Sequence, residues 1–302
     1  MALLDRAIVR LLPAVPKPIV RRIADRYIAG EELEDALTTV ERVNAQGKVT
    51  TIDVLGEEVP SADEARAITQ AYLDVLRGID ERGLDSNVSV KPTALGLELG
   101  YALFRENLDT LVRKAAERGN FVRIDMEDAS TTDDTLRAYR ELRESGLDNV
   151  GVVLQARLRR TLDDIAALAD LRPNVRICKG IYLEPESIAY TGFDEIRASY
   201  VRCLEALRDT ASFVGVATHD EYLIDAAKRM LRERYEFQML LGVREQLGDA
   251  LVREGHRLRI YVPFGRRWYE YSLRRLQENP RIAGYVASDT VGRIFSRRNG
   301  SA

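Results

Sequence analysis

Charged and polar side chains follow short apolar segments at seven places along the 302-residue chain. If these segments are parallel strands, their carboxyl ends open onto one shared edge, so we expect the polar side chains to meet there. A single polar residue at such a point needs no ligand, because a strand that leaves a core must turn polar. Positive charges gathered at one edge repel one another, however, which indicates a bound anion. The residues are, in chain order, Lys91, Asp125 with Glu127 and Asp128, Gln155, Arg176 with Lys179, Thr218 with His219, Gln238, and Tyr261.

Two adjacent arginines stand on the last predicted helix. The residues that share one face of this helix, at positions i, i+3, i+4 and i+7, are Tyr271, Arg274, Arg275 and Glu278. Two guanidinium groups that lean into one site suit the two-point binding of a carboxylate or a phosphate. The same spacing fits a solvated pair that forms salt bridges with Glu270 and Glu278, and it does not distinguish the two interpretations.

The segments that position these residues alternate between short apolar and longer amphipathic stretches, a pattern typical of βα units around a parallel sheet. Eight such units predict an α/β fold, a (β/α)8 TIM-type barrel. A doubly wound sheet is the alternative, but no G-x-G-x-x-G motif follows any predicted strand. The predicted strands are residues 49–54, 87–91, 121–125, 151–155, 175–179, 212–218, 236–241 and 259–262. The predicted helices are residues 62–82, 104–118, 132–144, 161–171, 194–209, 222–234, 243–253 and 267–278.

Helix caps and the lack of a linker complete the predicted organisation. Ser61 and Glu64 form a capping-box pattern, and Gly83, Gly119 and Gly146 follow helices where left-handed caps belong. No stretch rich in Pro, Gly or Ser divides the chain in its middle. We therefore predict an N-terminal helical arm at residues 1–47, one catalytic barrel at 48–279 and a C-terminal helical tail at 280–302.

The composition excludes several classes of protein. The chain has 45 basic and 48 acidic residues, a net charge of −3, and 45% apolar residues. This composition is typical of a globular protein, and it disfavours both a disordered chain and a dedicated duplex-DNA binder, which usually carries a basic footprint. Charges interrupt every apolar stretch before it reaches a membrane-spanning length. Two cysteines and two histidines are too few for a Cys/His zinc site and favour a reducing cytoplasm.

The first 28 residues form a basic, amphipathic segment. They contain six basic and two acidic residues, and no small-residue cleavage site of a secretory signal. Their apolar residues Leu3, Leu4, Ile8, Leu11 and Leu12 recur at helical spacing. Such a segment either packs against its own domain or attaches reversibly to an anionic membrane surface.

Six motifs in order resemble the proline dehydrogenase family, both its single-function bacterial form and the proline-oxidising half of the bifunctional proline-utilisation flavoenzymes. The resemblance covers about residues 48–279. The most specific motifs are R-x-x-K-G-x-Y and Y-x-x-R-R-x-x-E-N. The six segments are SVKPTALG at 89–96, RIDMED at 123–128, LQARL at 154–158, RICKGIY at 176–182, ATHD at 217–220 and YEYSLRRLQEN at 269–279.

This resemblance implies a distorted (β/α)8 barrel that holds FAD without a covalent bond. It also implies transfer of a hydride from L-proline to the flavin, with Δ1-pyrroline-5-carboxylate as product and a membrane quinone as electron acceptor. By motif position, it implies proline-carboxylate binding by Lys91, Arg274 and Arg275, ring packing by Tyr271, and catalytic positions for Asp125 and for Arg176 beside the flavin's reacting nitrogen. The implied cofactor-lining residues are Met126, Gln155, Arg176, Lys179, Gly180, Ile181, Thr218, His219 and Glu278.

Two departures and three alternatives qualify this interpretation. Leu183 stands where bifunctional relatives often have Trp, and Asp220 replaces a frequent Asn. Asp125 with the following E-D pair also suits hard-metal coordination, so a magnesium-dependent carboxylate lyase is the leading alternative. The others are a Schiff-base aldolase that uses Lys91 or Lys179 and a non-catalytic membrane-surface module.

A gate over the predicted site is also expected, because the reaction must be shielded from water while substrate still enters. The first βα loop carries or precedes Glu57, Glu58 and Glu64, which can pair with Arg274 or Arg275 across the barrel mouth. The other interpretation is that Glu64 only completes the Ser61 capping box.

Overall fold

The structure, a computed structural model, describes Arg21, Ala24, residues 26–269 and Ser272. Eight parallel strands form a closed barrel in which each strand pairs with the next and β8 pairs with β1. The predicted TIM-type fold is therefore confirmed. The strands are β1 (Val49–Val54), β2 (Ser86–Val90), β3 (Val122–Ile124), β4 (Val150–Gln155), β5 (Asn174–Cys178), β6 (Phe213–Ala217), β7 (Tyr235–Leu240) and β8 (Leu258–Phe264).

Helices surround the barrel and connect its strands. They are α1 (Leu33–Asn44), α2 (Ala62–Glu81), α3 (Tyr101–Glu117), α4 (Thr132–Glu144), α5 (Thr161–Leu168), α6 (Phe193–Thr210), α7 (Glu221–Met230) and α8 (Glu245–Arg253). Helix α1 precedes the first strand and packs against β8 and β1. None of the helices in the described part of the chain reaches the length and apolar content that a bilayer crossing requires.

Burial and capping explain why these segments form these elements. All six residues of β1 and of β4 are buried, as expected for parallel strands covered by helices on one face and by the barrel interior on the other. The predicted glycine caps are confirmed, because Gly83, Gly119 and Gly146 have φ angles of 60°, 61° and 83°.

The barrel closes along six residue pairs between β1 and β8, from Val49 opposite Arg259 to Val54 opposite Phe264. The chain before α1 lies against the carboxyl end of β8. Ala29 N donates to Pro263 O and Gly265 N donates to Gly30 O, both at 2.9 Å. The predicted arm therefore approaches the barrel at the end where the strands' polar residues gather.

Several predicted boundaries are shifted. Five strands end one residue earlier than predicted. The first loop residues after β2, β3, β5, β6 and β7 are therefore Lys91, Asp125, Lys179, Thr218 and Leu241. The helix predicted at 222–234 ends at Met230, because Leu231 has an extended backbone. Of the helix predicted at 267–278, the structure describes only 267–269 and Ser272. The proposed domain limits stay a prediction, and residues 280–302 lie outside the described part.

Candidate active site

Lys91 lies at the barrel mouth, the end formed by the carboxyl termini of the strands, and its side chain is buried. Its Nζ donates to Asp53 Oδ2 at 2.5 Å and to the Tyr261 hydroxyl at 3.2 Å. Burial acts to lower the pKa of Lys91, but the carboxylates of Asp53 and Asp125 outweigh it and raise this pKa above its usual value. Lys91 is therefore a stable cation at the mouth.

Asp125 joins side chains from three other strands or strand ends. Its Oδ1 accepts hydrogen bonds from Ser89 Oγ at 2.6 Å and from Arg176 Nη1 at 2.7 Å, while Oδ2 accepts from the Tyr261 hydroxyl at 3.1 Å. Lys91 Nζ lies 3.9 Å from Oδ2. The predicted acid Asp125 and the predicted cations Lys91 and Arg176 thus belong to one network. The Tyr261 hydroxyl bridges Lys91 and Asp125.

Arg176 lies in the middle of β5 rather than at its end, and its side chain is 7% exposed. Its Nε donates to Gln238 Oε1 at 2.6 Å, and its Nη1 also donates to Ser89 Oγ at 3.0 Å. The Tyr261 ring centroid lies 5.5 Å from the guanidinium carbon, within range of a cation–π contact. These contacts fix the plane of the guanidinium group.

The predicted cofactor residues Gln155, Lys179 and Gly180 lie at the ends of β4 and β5. Gln155 Nε2 donates to the Glu127 carbonyl oxygen at 2.7 Å. Gly180 has a φ of 94°, and a Cβ on it would lie 2.8 Å from Gln155 Oε1. Glycine therefore allows the backbone to pass close to this side chain, where a larger residue would collide.

Lys179 and Asp220 form an ion pair at the ends of β5 and β6. Lys179 Nζ donates to Asp220 Oδ2 at 2.6 Å, and Arg197 binds both oxygens of Asp220 at 2.7 Å. Burial acts to raise the pKa of Asp220, but the hydrogen bonds from Arg197 and Lys179 outweigh it and lower the pKa to about 2. Asp220, which differs from the frequent family Asn, therefore serves as an anchor for Lys179.

Thr218 and His219 lie directly after β6. Thr218 Oγ1 accepts from Asp220 N at 3.1 Å, and His219 Nε2 accepts from Leu240 N at 3.1 Å. An accepting Nε2 carries no proton, so the ring is neutral with its proton on Nδ1. The remaining predicted cofactor residues differ in exposure, because Met126 is buried whereas Ile181 is 40% exposed.

Glu127 is a second buried carboxyl group near the mouth. Its two oxygens accept hydrogen bonds from Thr93 N at 2.8 Å and Thr93 Oγ1 at 2.7 Å. Burial raises the pKa of Glu127 to about 7, against these hydrogen bonds, which act to lower it. Glu127 thus links the loop after β2 to the loop after β3.

Four predicted site residues, Tyr271, Arg274, Arg275 and Glu278, lie outside the described residues, so their predicted roles stay predictions. The structure describes a different partner for the predicted gate residue Glu64. Arg267 Nη2 donates to Glu64 Oε2 at 2.6 Å, and Arg267 Nη1 donates to the Glu57 carbonyl oxygen at 3.2 Å. Ser61 caps α2 by accepting from Glu64 N at 3.2 Å, while the Glu64 side chain binds Arg267, which follows the neighbouring strand β8.

The geometry does not favour the alternative chemistries. The three carboxylates predicted for magnesium bind different partners, since Asp125 faces Arg176, Glu127 faces Thr93, and Asp128 Oδ1 caps the turn at Ser130 N. No cluster of three or more potential metal ligands occurs among the residues described. A Schiff-base lysine must lose its proton, whereas the two predicted lysines, Lys91 and Lys179, are each paired with a carboxylate, that of Asp53 and that of Asp220.

Sequence reasoning missed Asp53, Tyr72 and Ser89. Asp53 lies in the apolar strand β1 and is fully buried, so its charge requires a partner that the sequence does not name. Tyr72 of α2 supplies a second partner, because its hydroxyl lies 2.9 Å from Asp53 Oδ1. A charged residue inside a buried strand was the available signal for this site.

Comparisons with known proteins agree with the sequence motifs. The proline dehydrogenase family profile matches residues 36–288. The chain is 38% identical to the proline dehydrogenase of Deinococcus radiodurans over 87% of its own length and 88% of that protein. It is 35% identical to proline dehydrogenase 1 of Bacillus subtilis over 87% of its length and 89% of that relative.

A solved structure shows the same fold. Proline utilization A (PutA) from Bdellovibrio bacteriovorus matches with a TM-score of 0.80 and 24% identity over 90% of this chain. The match covers 36% of that longer protein. The family profile and the two similar relatives extend over most of the sequence, and the chain therefore belongs to the proline dehydrogenase family.

Proposed function

We propose that the chain oxidises L-proline to Δ1-pyrroline-5-carboxylate with a non-covalently bound FAD. The observation that carries this proposal is the network of Lys91, Asp125, Arg176 and Tyr261 at the mouth of the barrel, which combines a buried cation with an oriented guanidinium group. The names of the similar relatives support proline as the substrate. The sequence motifs at these residues support the flavin.

The residues at the ends of β4 to β6 fit a flavin nucleotide. Phosphates and flavin ring atoms accept hydrogen bonds, and Arg176, Gln155 and Lys179 supply donors on two neighbouring strands. Gly180 allows a close backbone approach beside Gln155. When bound, FAD would supply the acceptor for the hydride that leaves the carbon next to the proline nitrogen. The proposed FAD-binding residues are Met126, Gln155, Arg176, Lys179, Gly180, Ile181, Thr218, His219 and Glu278.

Lys91 binds the substrate carboxylate in this proposal, together with Arg274 and Arg275. Hydride loss requires the lone pair of the amine, so the site must favour neutral proline nitrogen over the ammonium form. Positive charge beside the amine disfavours its protonation. Because the pKa of Lys91 is raised, its positive charge is present across the physiological range.

Asp125 acts as a positioning group in this proposal rather than as a proton acceptor. Its oxygens already accept hydrogen bonds from Ser89, Arg176 and Tyr261. It therefore orients Arg176. The positive charge of Arg176 would stabilise the negative charge that the cofactor gains when it accepts the hydride. Tyr271 packs over the proline ring.

The proposed electron acceptor is a membrane quinone, reached from the cytoplasm by peripheral contact with the inner face of the membrane. The basic, amphipathic residues 1–28 supply attraction to anionic lipid. Residues 29–30 bond to the carboxyl end of β8, and this position of the described chain supports a membrane contact beside the mouth. All large apolar side chains that are exposed in the described structure lie at the same end, namely Leu99, Ile181, Leu183, Ile188, Phe193 and Tyr222.

Steady-state oxidation of proline tests the proposed function. Replacing Lys91 with Met removes a charged hydrogen bond to the substrate, worth about 1.5–3 kcal/mol, so KM is expected to rise about tenfold or more. Lys114→Met is the matched control, because Lys114 pairs with Glu117 on the surface of α3 and should leave KM unchanged. An absence of proline oxidation in the wild-type protein, or an unchanged KM in a folded, flavin-loaded Lys91→Met variant, would contradict the proposal.

A further inference from the structure

A buried carboxylate lies in the barrel interior below the candidate active site. Glu236 of β7 is 2% exposed, and its oxygens accept from Arg259 Nε at 2.5 Å and from Arg257 Nε at 3.1 Å. Burial acts to raise the pKa of Glu236, but the charge of Arg259 outweighs it and lowers this pKa. Glu236 is thus a fixed anion, held from the amino-terminal side of the barrel.

Gln238 connects this anion to Arg176. Its Nε2 donates to Glu236 Oε1 at 2.8 Å, and its Oε1 accepts from Arg176 Nε at 2.6 Å. A carboxylate can only accept hydrogen bonds and a guanidinium group can only donate them. The amide of Gln238 therefore has a single orientation that satisfies both neighbours, and the charge of Glu236 determines it.

Gly215 of β6 makes room for this connection. Gly215 is the register neighbour of Arg176 on one side and of Glu236 on the other. A Cβ at this position would lie 2.5 Å from Gln238 Nε2. Its φ is not positive, so glycine is needed here for space rather than for backbone conformation.

We infer that Gln238, oriented by Glu236 and accommodated by Gly215, is a positioning residue that sets the plane of the Arg176 guanidinium group. The Glu236 carboxylate orients the Gln238 amide, and the amide in turn orients Arg176. Because the amide is neutral, it places no second negative charge against Arg176. Asp125 then remains the one carboxylate bonded to this arginine within the described residues, which preserves its positive field toward the mouth. The consequence for catalysis rests on the proposed function, whereas the structural link does not.

Three variants test the inference in the full-length protein. Gln238→Met removes both hydrogen bonds at nearly constant volume. Gly215→Ala displaces the amide, and it should fold because the displaced atom is the end of a flexible side chain. Tyr235→Phe is the matched control on the same strand, since its hydroxyl lies 3.3 Å from His256 Nδ1, away from the Arg176 network.

The first measurement is hydrogen exchange of the Arg176 Nε–H by NMR, which needs neither flavin nor activity. Loss of the Gln238 acceptor should accelerate exchange about tenfold in Gln238→Met and in Gly215→Ala, with Tyr235→Phe unchanged. Exchange that stays at the wild-type rate in both test variants would overturn the inference. Equal acceleration in the control would also overturn it, because the effect would then be general loosening of β7.

The second experiment measures the midpoint potential of the bound flavin and, in the same variants, the steady-state kinetics of proline oxidation. The equilibrium constant for flavin reduction should fall about tenfold in the test variants, which is about 30 mV for two electrons. We expect kcat to fall with it while the KM for proline stays near wild type. If hydrogen exchange at Arg176 changes but the flavin potential and kcat do not, the proposed effect of Gln238 on catalysis is overturned. A wild-type protein without flavin or proline oxidation would instead refute the proposed function and leave the exchange result to decide the structural link.

Discussion

Replacing Asp53 with Asn is expected to destabilise the protein strongly, because it removes the nearest counter-ion of a buried lysine. Asp53 is fully buried, the side chain of Lys91 is 8% exposed, and the two charges are 2.5 Å apart. Breaking such a pair by removing one partner costs about 3–5 kcal/mol, since the remaining charge stays buried. Lys91 keeps weaker contacts with Asp125 at 3.9 Å and Glu57 at 4.0 Å, so we expect the free energy of unfolding to fall by about 3 kcal/mol.

A double-mutant cycle distinguishes this pair from a general packing defect. Lys91→Met leaves the buried Asp53 carboxylate without a cation, with only the Tyr72 hydroxyl of the two partners described above, and should also cost about 3 kcal/mol, whereas the double variant leaves no unpaired charge. The double variant should therefore be more stable than the sum of the single effects predicts, by at least about 2 kcal/mol.

Urea unfolding followed by circular dichroism gives the free energy of unfolding of all four proteins. Thermal unfolding is a second measurement, and with roughly 2 °C per kcal/mol for a chain of this size, the melting temperature of Asp53→Asn should fall by about 6 °C. A destabilisation below about 1 kcal/mol, or single effects that simply add in the double variant, would refute the assignment of Asp53 as the charge partner of Lys91.

Three other predictions concern pH, specificity and the membrane. The pKa of Glu127 is raised from 4.5 to about 7, so its contribution to stability is present below pH 4.5 and is lost as pH rises through 7. The unfolding free energy of Glu127→Gln relative to wild type should therefore increase by on the order of 3 kcal/mol between pH 4.5 and about 8, and a constant difference would contradict this. Tyr271→Ser should narrow the preference for proline over 4-hydroxyproline, measured as the ratio of kcat/KM values; equal discrimination would exclude Tyr271 as the sieve. Deleting residues 1–28 should reduce co-sedimentation with anionic liposomes at low salt, and equal sedimentation of two folded, flavin-loaded proteins would assign the segment a structural role.

The sequence was sufficient to predict the barrel and the edge at which its polar residues meet. The alternation of apolar and amphipathic segments depends on burial, which is a local property of each strand and helix. Lys91, Asp125 and Tyr261 could be predicted as neighbours because parallel strands share one carboxyl edge. The ends of β2, β3, β5 and β6 were predicted one residue too late, since the polar residue directly after each of these strands extends the apparent pattern.

The pairing inside the site was not predictable in the same way. The bond between Asp53 and Lys91 joins residues 38 positions apart, and the chain from Glu236 to Arg176 spans three strands. Such partners depend on barrel register and side-chain direction, which periodicity does not specify. Glu64 shows the same limit, because its helix cap was readable from spacing whereas its pairing with Arg267 depends on how the chain returns after β8.

The visible spectrum of the purified protein, recorded without oxygen before and after addition of L-proline, tests the central claim most directly. Bound FAD should give a yellow protein with flavin absorption bands. Proline should bleach these bands, because the hydride reduces the flavin while no acceptor is present. A colourless protein after flavin reconstitution, or flavin bands that proline leaves unchanged, would contradict the account.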